Sequence, residues 1–231
     1  PDWPERDRLL LSNGHIVPVR YVAMHHAGYD ITKEELSTFR ATGSRLEGHP
    51  SVHTIPAVET SSGPLGEGLS QAAGIAHAAK MDGREHDFYV WCLMSDGEHG
   101  EGMVWEAAMY AAKYRLSNLT VVIDRNNIQI DGVTEDVMPL EPLRAKYESF
   151  GWSVLEMNGH DMQEIVATLE ESKGIQQGPT CIIANTVPGK GVDFMENRFG
   201  WRGKPPSEEE AKKALEQLRT MAGEIECPDK D

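Results

Sequence analysis

A chain of 231 residues, 39% of them hydrophobic, is long enough to bury one large core, and it contains no apolar run of about eighteen residues that could span a bilayer. Its 22 Lys and Arg against 37 Asp and Glu leave a formal charge of −15, which argues against nucleic acid, a partner that needs a basic face. An anionic ligand would therefore have to be held by local donors or a metal, because the overall field repels it.

The apolar periodicity predicts helices over 15–29 and 32–40, followed by a polar, Gly/Pro/Ser-rich loop over 42–62. A helix over 65–81 comes next, entered through Gly63, Gly66 and Gly68 and rich enough in Ala and Gly to pack closely on both sides. Then strands and helices alternate: strand 88–94, helix 103–115, strand 119–124, helix 141–149, strand 152–156, helix 161–173, strand 180–186 and a charged, solvated helix over 207–220. This alternation predicts an α/β fold, a parallel sheet with helices on both faces, as one domain over 1–231. Three widely spaced cysteines, Cys92, Cys181 and Cys227, two of them in predicted strands, read as reduced thiols of a cytoplasmic protein.

Right-handed crossovers place the loops after the strands on one edge of such a sheet. The loops at Asp96, at Asn126 and at 186–191 are therefore candidates for a single site, since open α/β sheets bind ligands at that edge. Asp96 and Asn126 lie 30 residues apart, each just past a predicted strand, with an Ala-rich helix between. They are hard oxygen ligands suited to Mg²⁺ or Ca²⁺, and a cation held by so few protein groups shares its other positions with phosphate oxygens. The plain alternative for Asp96 is a helix N-cap. Gly97 leaves room for close approach of the backbone to a diphosphate.

This segment, opening with SDG at 95–97 and reaching NN at 126–127, resembles the thiamine diphosphate fingerprint. The words LSNGH (11–15), GHP (48–50), SSGPLGEG (61–68), EGMVWEA (101–107), TVPGKG (186–191) and WRGKPP (201–206) are similar to transketolase, in order, from Arg6 to about Leu218. The resemblance implies the diphosphate-binding (PP) domain of transketolase, as the N-terminal subunit of a split enzyme. It further implies about fifty residues upstream of Pro1 and a separate C-terminal partner chain carrying the pyrimidine-binding domain, together forming an oligomer, with a heterotetramer expected. Isolated, the chain would then be unable to turn over, because the Glu that activates the cofactor belongs to that partner. The implied reaction is ketol transfer between sugar phosphates in the pentose phosphate pathway, with thiamine diphosphate as electron sink.

Residue by residue, the resemblance implies metal ligation by Asp96, the side chain of Asn126 and the backbone carbonyl of Ile128. Gly63, Leu65, Gly97 and Ile130 would contact the cofactor beside Asp96 and Asn126, although Leu65 and Ile130 also suit core packing. His15 and His49 would move protons on sugar hydroxyls, a task suited to imidazole. Glu101 and Glu106 match carboxylates that link two active sites at an interface; the bland alternative is solvent-exposed helix acids. His25, His26, His53, His77, His86, His99 and His160 match no catalytic position and read as structural.

Three positions depart from the family pattern. Ser95 replaces Gly, and its hydroxyl either donates to the diphosphate or crowds the turn. Pro188 stands where Lys is common, and Arg202 replaces a His. Arg cannot act as a general acid or base near neutrality but can clamp an anion bidentately. Arg202 is therefore read as a cofactor-binding residue that takes over diphosphate binding, with altered specificity for an anionic donor sugar left open. The same departures keep open a non-catalytic assembly or regulatory subunit. A dehydrogenase α-subunit or a deoxyxylulose phosphate synthase-like protein fits SNGH, GHP and GPLGEG poorly. A nicotinamide-binding domain would need GxGxxG after its first strand.

Overall fold

Central strands buried on both faces set the architecture. In a computed structural model describing residues 2–130 and 132–221, and all of their side chains except those of 219–221, five strands form one parallel sheet. They are β1 (Arg8–Leu11), β2 (Val90–Ser95), β3 (Leu119–Arg125), β6 (Ser153–Asn158) and β7 (Thr180–Asn185), in the order β1-β2-β3-β7-β6. The two-residue strands β4 (Ile128–Gln129) and β5 (Gly132–Val133) make a small antiparallel hairpin just after β3.

Successive residues of the central strands serve opposite faces. Val121, Ile123, Cys181 and Ile183 join the main core with α3 (Glu67–Met81), α4 (Gly102–Lys113) and α6 (Leu143–Ser149). Val122, Ile182 and Ala184 face the other way and meet Ile165 and Leu169 of α7 (Met162–Lys173). Helices thus cover both faces, as the alternating pattern predicts. Buried alanines at 72, 73, 76 and 79 of α3 and at 107, 108 and 111 of α4 let these helices approach closely. Trp152 closes this core and donates its indole N–H to the Ala108 carbonyl at 2.9 Å.

The N-terminal part of the chain differs most from the sequence reading, whereas the final helix is where it is expected. β1 was not anticipated: a four-residue edge strand is too short to show a period. The expected helix over 15–29 begins with a 3-10 turn (Gly14–Ile16) and continues as α1 (Val17–His26). The expected helix over 32–40 shrinks to α2 (Lys33–Leu36), capped by the Thr32 hydroxyl accepting the Glu35 N–H at 3.2 Å. The loop that follows is rooted in a second small core of Val17, Tyr21, Met24, Ile31, Leu46, Ile55 and Val58. The short helix α5 (Thr134–Val137) precedes α6, and α8 (Glu208–Met221) ends the described chain. Cys92 and Cys181 are buried free thiols, while Cys227 lies outside the described residues. Among the described residues no helix is long and apolar enough to cross a membrane.

The first turn of α3 rests directly on the chain leaving β1. A Cβ on Gly68 would lie 2.4 Å from the Ser12 Cβ and 2.5 Å from its Cα. Gly68→Ala should therefore destabilise the chain by about 1–3 kcal/mol despite the better helix propensity of Ala. Urea denaturation checks this; equal or higher stability would show that the two segments are free to separate.

Candidate functional site

Strand register brings the predicted residues together. Ser95 pairs with Asp124, so Asp96 and Arg125 stand side by side at the ends of β2 and β3. The Asp96 N–H donates to the Asp124 carbonyl at 3.2 Å, and the Thr186 hydroxyl, just past β7, donates to the Asp124 carboxylate. The three loops expected to share one edge therefore meet there. A fourth joins them from β6, where His160 Nε2 accepts the Val187 N–H at 2.7 Å.

Asp96 is fully buried, and the capping alternative is realised alongside its place in the site. Its Oδ1 accepts the Gly97 N–H at 2.7 Å, capping the 3-10 turn Gly97–Gly100. Its Oδ2 accepts from Arg125 Nη1 at 2.9 Å, the Asn127 N–H at 2.8 Å and the Thr134 hydroxyl at 3.2 Å. Burial pushes this carboxyl above its ordinary range, and Arg125 and the amide donors pull against it. Asn126 donates its Nδ2 to Asp124 at 2.8 Å, while its Oδ1 accepts the Ile128 N–H at 3.0 Å. Asp124 thereby decides which way the amide faces. The Ile128 carbonyl accepts Arg202 Nη1 at 3.0 Å.

This donor set fits a hard cation that shares its shell with a ligand. It offers one carboxylate, one amide oxygen and one carbonyl. Among the described residues there is no group of three His, Cys, Asp or Glu to form an all-protein cage. Buried polar atoms without protein partners lie on the same segments: both amide atoms of Asn13, the hydroxyls of Ser62 and Ser95, and Glu98 Oε1. A Cβ on Gly97 would lie 3.0 Å from the Gln129 side chain, so the turn is tight at the point where the fingerprint has glycine.

The loop words form an adjoining wall. A Cβ on Gly14 would strike the Ser62 hydroxyl at 2.5 Å, and one on Gly63 would touch the His49 ring at 3.7 Å, so SNGH, GHP and SSGPLG pack together. His15 and His49 are both exposed. Arg202 Nη2 points its N–H at His15 Nε2 across 3.4 Å. The His15 pKa is lowered, first by desolvation and then by the charges of Arg202 and His49. Leu65 is half-buried, whereas Ile130 is 75% exposed, so core packing does not account for Ile130. Glu101 and Glu106 are exposed, and Glu101, although at the N-cap of α4, makes no capping bond. The Pro188 carbonyl accepts the Asn197 N–H at 3.0 Å within its own loop.

Several residues here were missed in the sequence. Glu98 is fully buried beneath the LSNGH and SSGPLGEG segments, its Oε2 accepting the Ser12 hydroxyl at 3.1 Å and the Gly66 N–H at 3.4 Å. Burial pushes its carboxyl up to about 7. His99 keeps its structural reading: Nδ1 donates to the carbonyls of Ser95 and Asp96, and Nε2 accepts the Tyr147 hydroxyl at 2.9 Å. Burial lowers its pKa to about 4, so it is neutral near pH 7. Arg125 and Asp124 also belong here, the two residues that immediately precede Asn126 in the fingerprint.

Comparisons with known proteins bear on the family and the fold. The family model described as transketolase, thiamine diphosphate binding domain, matches residues 1–226. A subunit of the apulose-4-phosphate transketolase of Phocaeicola vulgatus is 42% identical over 229 residues, covering 98% of this chain and 80% of that protein. One from the 6-deoxy-6-sulfo-D-fructose transketolase of Clostridium sp. is 40% identical, covering 94% of this chain and 78% of that one. The crystal structure of transketolase from Campylobacter jejuni superposes with a TM-score of 0.86 at 38% identity. It is matched over 91% of this chain, which spans only 34% of that longer one.

The Arg202–His15 contact predicts an electrostatic coupling. Removing a nearby positive charge makes the imidazolium less costly, so Arg202→Met should raise the His15 titration midpoint. NMR titration of the His15 ring measures it; an unchanged midpoint would mean that Arg202 does not act on His15 in solution.

Proposed function

Because this chain belongs to the transketolase N-terminal, thiamine diphosphate-binding family, we propose that it is the N-terminal subunit of a split transketolase. In this reading the whole of 1–231 is a single diphosphate-binding domain that works only with a pyrimidine-binding partner chain. The pair carries out ketol transfer from an anionic ketose to an aldose phosphate. The observation that carries the reading is the placement of Asp96, just past β2, against the end of β3, where its carboxylate accepts the Asn127 N–H in the segment that carries Asn126 and Ile128. The split arrangement is supported by relatives named as transketolase subunits, of which this chain covers 80% and 78%. The two named sugars, a phosphate and a sulfonate, support an anionic donor. Buried free thiols at Cys92 and Cys181 support a cytoplasmic setting. Exposed Met109 and Tyr110 on α4, one turn from the exposed Glu106, support an oligomer, read as a heterotetramer.

The residues divide the work. Asp96 through Oδ1, Asn126 and the Ile128 carbonyl would hold Mg²⁺ or Ca²⁺, while Gly97 lets the backbone approach the diphosphate. Arg202 supplies positive charge for that group, and Gly63, Leu65 and Ile130 line the rest of the cofactor. When bound, thiamine diphosphate supplies the nucleophilic carbanion and electron sink for cleaving and remaking a ketose C–C bond. His15, whose pKa is lowered, is a proton acceptor at neutral pH, and His49 beside Gly63 can relay protons at the same sugar hydroxyls.

Reconstitution tests the assignment. The purified chain alone should show no ketol transfer, and activity should appear on addition of the pyrimidine-binding partner, thiamine diphosphate and Mg²⁺. In that complex Asp96→Ala should abolish metal-dependent cofactor binding in calorimetry. Turnover by the chain alone would sink the split-subunit reading, and unchanged affinity in the variant would sink the metal assignment.

Arg202 acts here as an anion clamp. Loss of a charge-assisted contact to a partly buried phosphate costs about 1.5–3 kcal/mol, so Arg202→Ala should weaken diphosphate affinity by about one to two orders of magnitude. Arg202→His should recover part of this and add a pH dependence near neutrality. Normal cofactor binding with loss of anionic donors would move the clamp to the substrate.

A further inference from the structure

Arg125 is the most deeply placed cation at this edge, 4% exposed, and it contacts three carboxylates. Nη1 donates to Asp96 Oδ2 at 2.9 Å, and Nη2 donates to Glu135 and, at 3.1 Å, to Glu141. Glu135 also accepts the Leu140 N–H at 3.2 Å, so the 134–141 segment folds around the guanidinium. Thr134, the first residue of that segment, donates to the same Asp96 oxygen.

We propose that Arg125 is a positioning residue for the metal site: a built-in cation that sets Asp96 in place before any metal binds and divides its carboxylate between two tasks. The proposal rests on the reading of Asp96 as a metal ligand. Oδ2 takes three donors, from Arg125, Asn127 and Thr134, which saturates it. Among the described residues Oδ1 takes only the Gly97 N–H and keeps a lone pair for a cation. A carboxylate removed from water needs a compensating charge. With Arg125 present that charge is permanent, so the turn after β2 forms without metal. The same positive charge lowers the affinity for a divalent cation, because both occupy the field of one carboxylate. Without Arg125, Asp96, Glu135 and Glu141 would stand together uncompensated. A metal would then become the neutralising partner on which the turn depends.

The fork geometry matters as well as the charge. A guanidinium spans Asp96 on one side and two glutamates on the other through separate nitrogens, which a single ammonium cannot reproduce. Lys in this position would neutralise charge but could not join the Asp96 turn to the 134–141 segment.

The test uses the full chain with Ca²⁺ alone as probe, reading thermal unfolding in EDTA and in Ca²⁺, together with calorimetric Ca²⁺ titration. The natural chain should unfold at nearly the same temperature in both. Arg125→Met should unfold earlier in EDTA, recover on adding Ca²⁺, and bind Ca²⁺ at least about tenfold more tightly. Arg125→Lys should fall between the two, and it decides the question by the same ordering if Arg125→Met does not fold. Combining Asp96→Asn with Arg125→Met should remove the Ca²⁺ recovery, which places it at Asp96. A Ca²⁺ response in both Arg125 variants no larger than in the natural chain overturns the role of Arg125 and leaves the metal reading intact. Recovery that survives Asp96→Asn, or no Ca²⁺ binding by either Arg125 variant, overturns this proposal, while the metal reading itself is decided by Asp96→Ala in the reconstituted complex.

Discussion

The Asp96 carboxylate is buried at the end of β2, and the arrangement of the whole sheet edge answers to that fact. A carboxylate out of water must be hydrogen-bonded and charge-compensated. In-register pairing of β2 with β3 supplies both, by setting Arg125 and Asn127 beside it. The pairing reaches further, because Asp124 on the same strand end turns the Asn126 amide and anchors Thr186 from β7. One register therefore holds three loops. A slip by a single residue would carry Asp124 and Arg125 each to the face opposite its present one and unmake all of these contacts.

The charge puzzle posed by the composition has a local answer. A chain of −15 should repel a diphosphate, yet Arg125 and Arg202 are both held at this edge. Net charge governs the far field, whereas binding at contact distance depends on the few charges within a Debye length.

The sheet and the edge where these loops meet were legible because their signals are redundant. Long apolar strands, Ala-rich helices and glycine-bearing turns each point to the same layered fold. The placement of Asp96 and Asn126 at neighbouring strand ends follows from topology alone. What could not be read is held by contacts between distant segments. Glu98 looks like one more acid in an acidic turn, and only the packing of Ser12 and Gly66 above it makes it a buried link. Arg125 looks like an ordinary charged end to a strand until the fold brings Glu135 and Glu141 to its second nitrogen. β1 failed for a different reason, since four residues on a sheet edge carry too little pattern to outweigh the helix that follows.

Two of the three oxygen groups assigned to the metal are already held by guanidinium groups, Asp96 by Arg125 and the Ile128 carbonyl by Arg202. On the proposed reading, metal binding is then partly an exchange of cations. The two arginines differ in what such an exchange would do. Arg125 retains Glu135 and Glu141 whether or not a metal takes Asp96 Oδ1, so it stays where it is. Among the described residues the polar contacts of the Arg202 guanidinium are the Ile128 carbonyl and the His15 ring, neither of them anionic. A guanidinium so placed loses little by turning to a phosphate oxygen. Metal and diphosphate would therefore bind more readily together than apart, with Arg125 as the fixed support and Arg202 as the movable clamp.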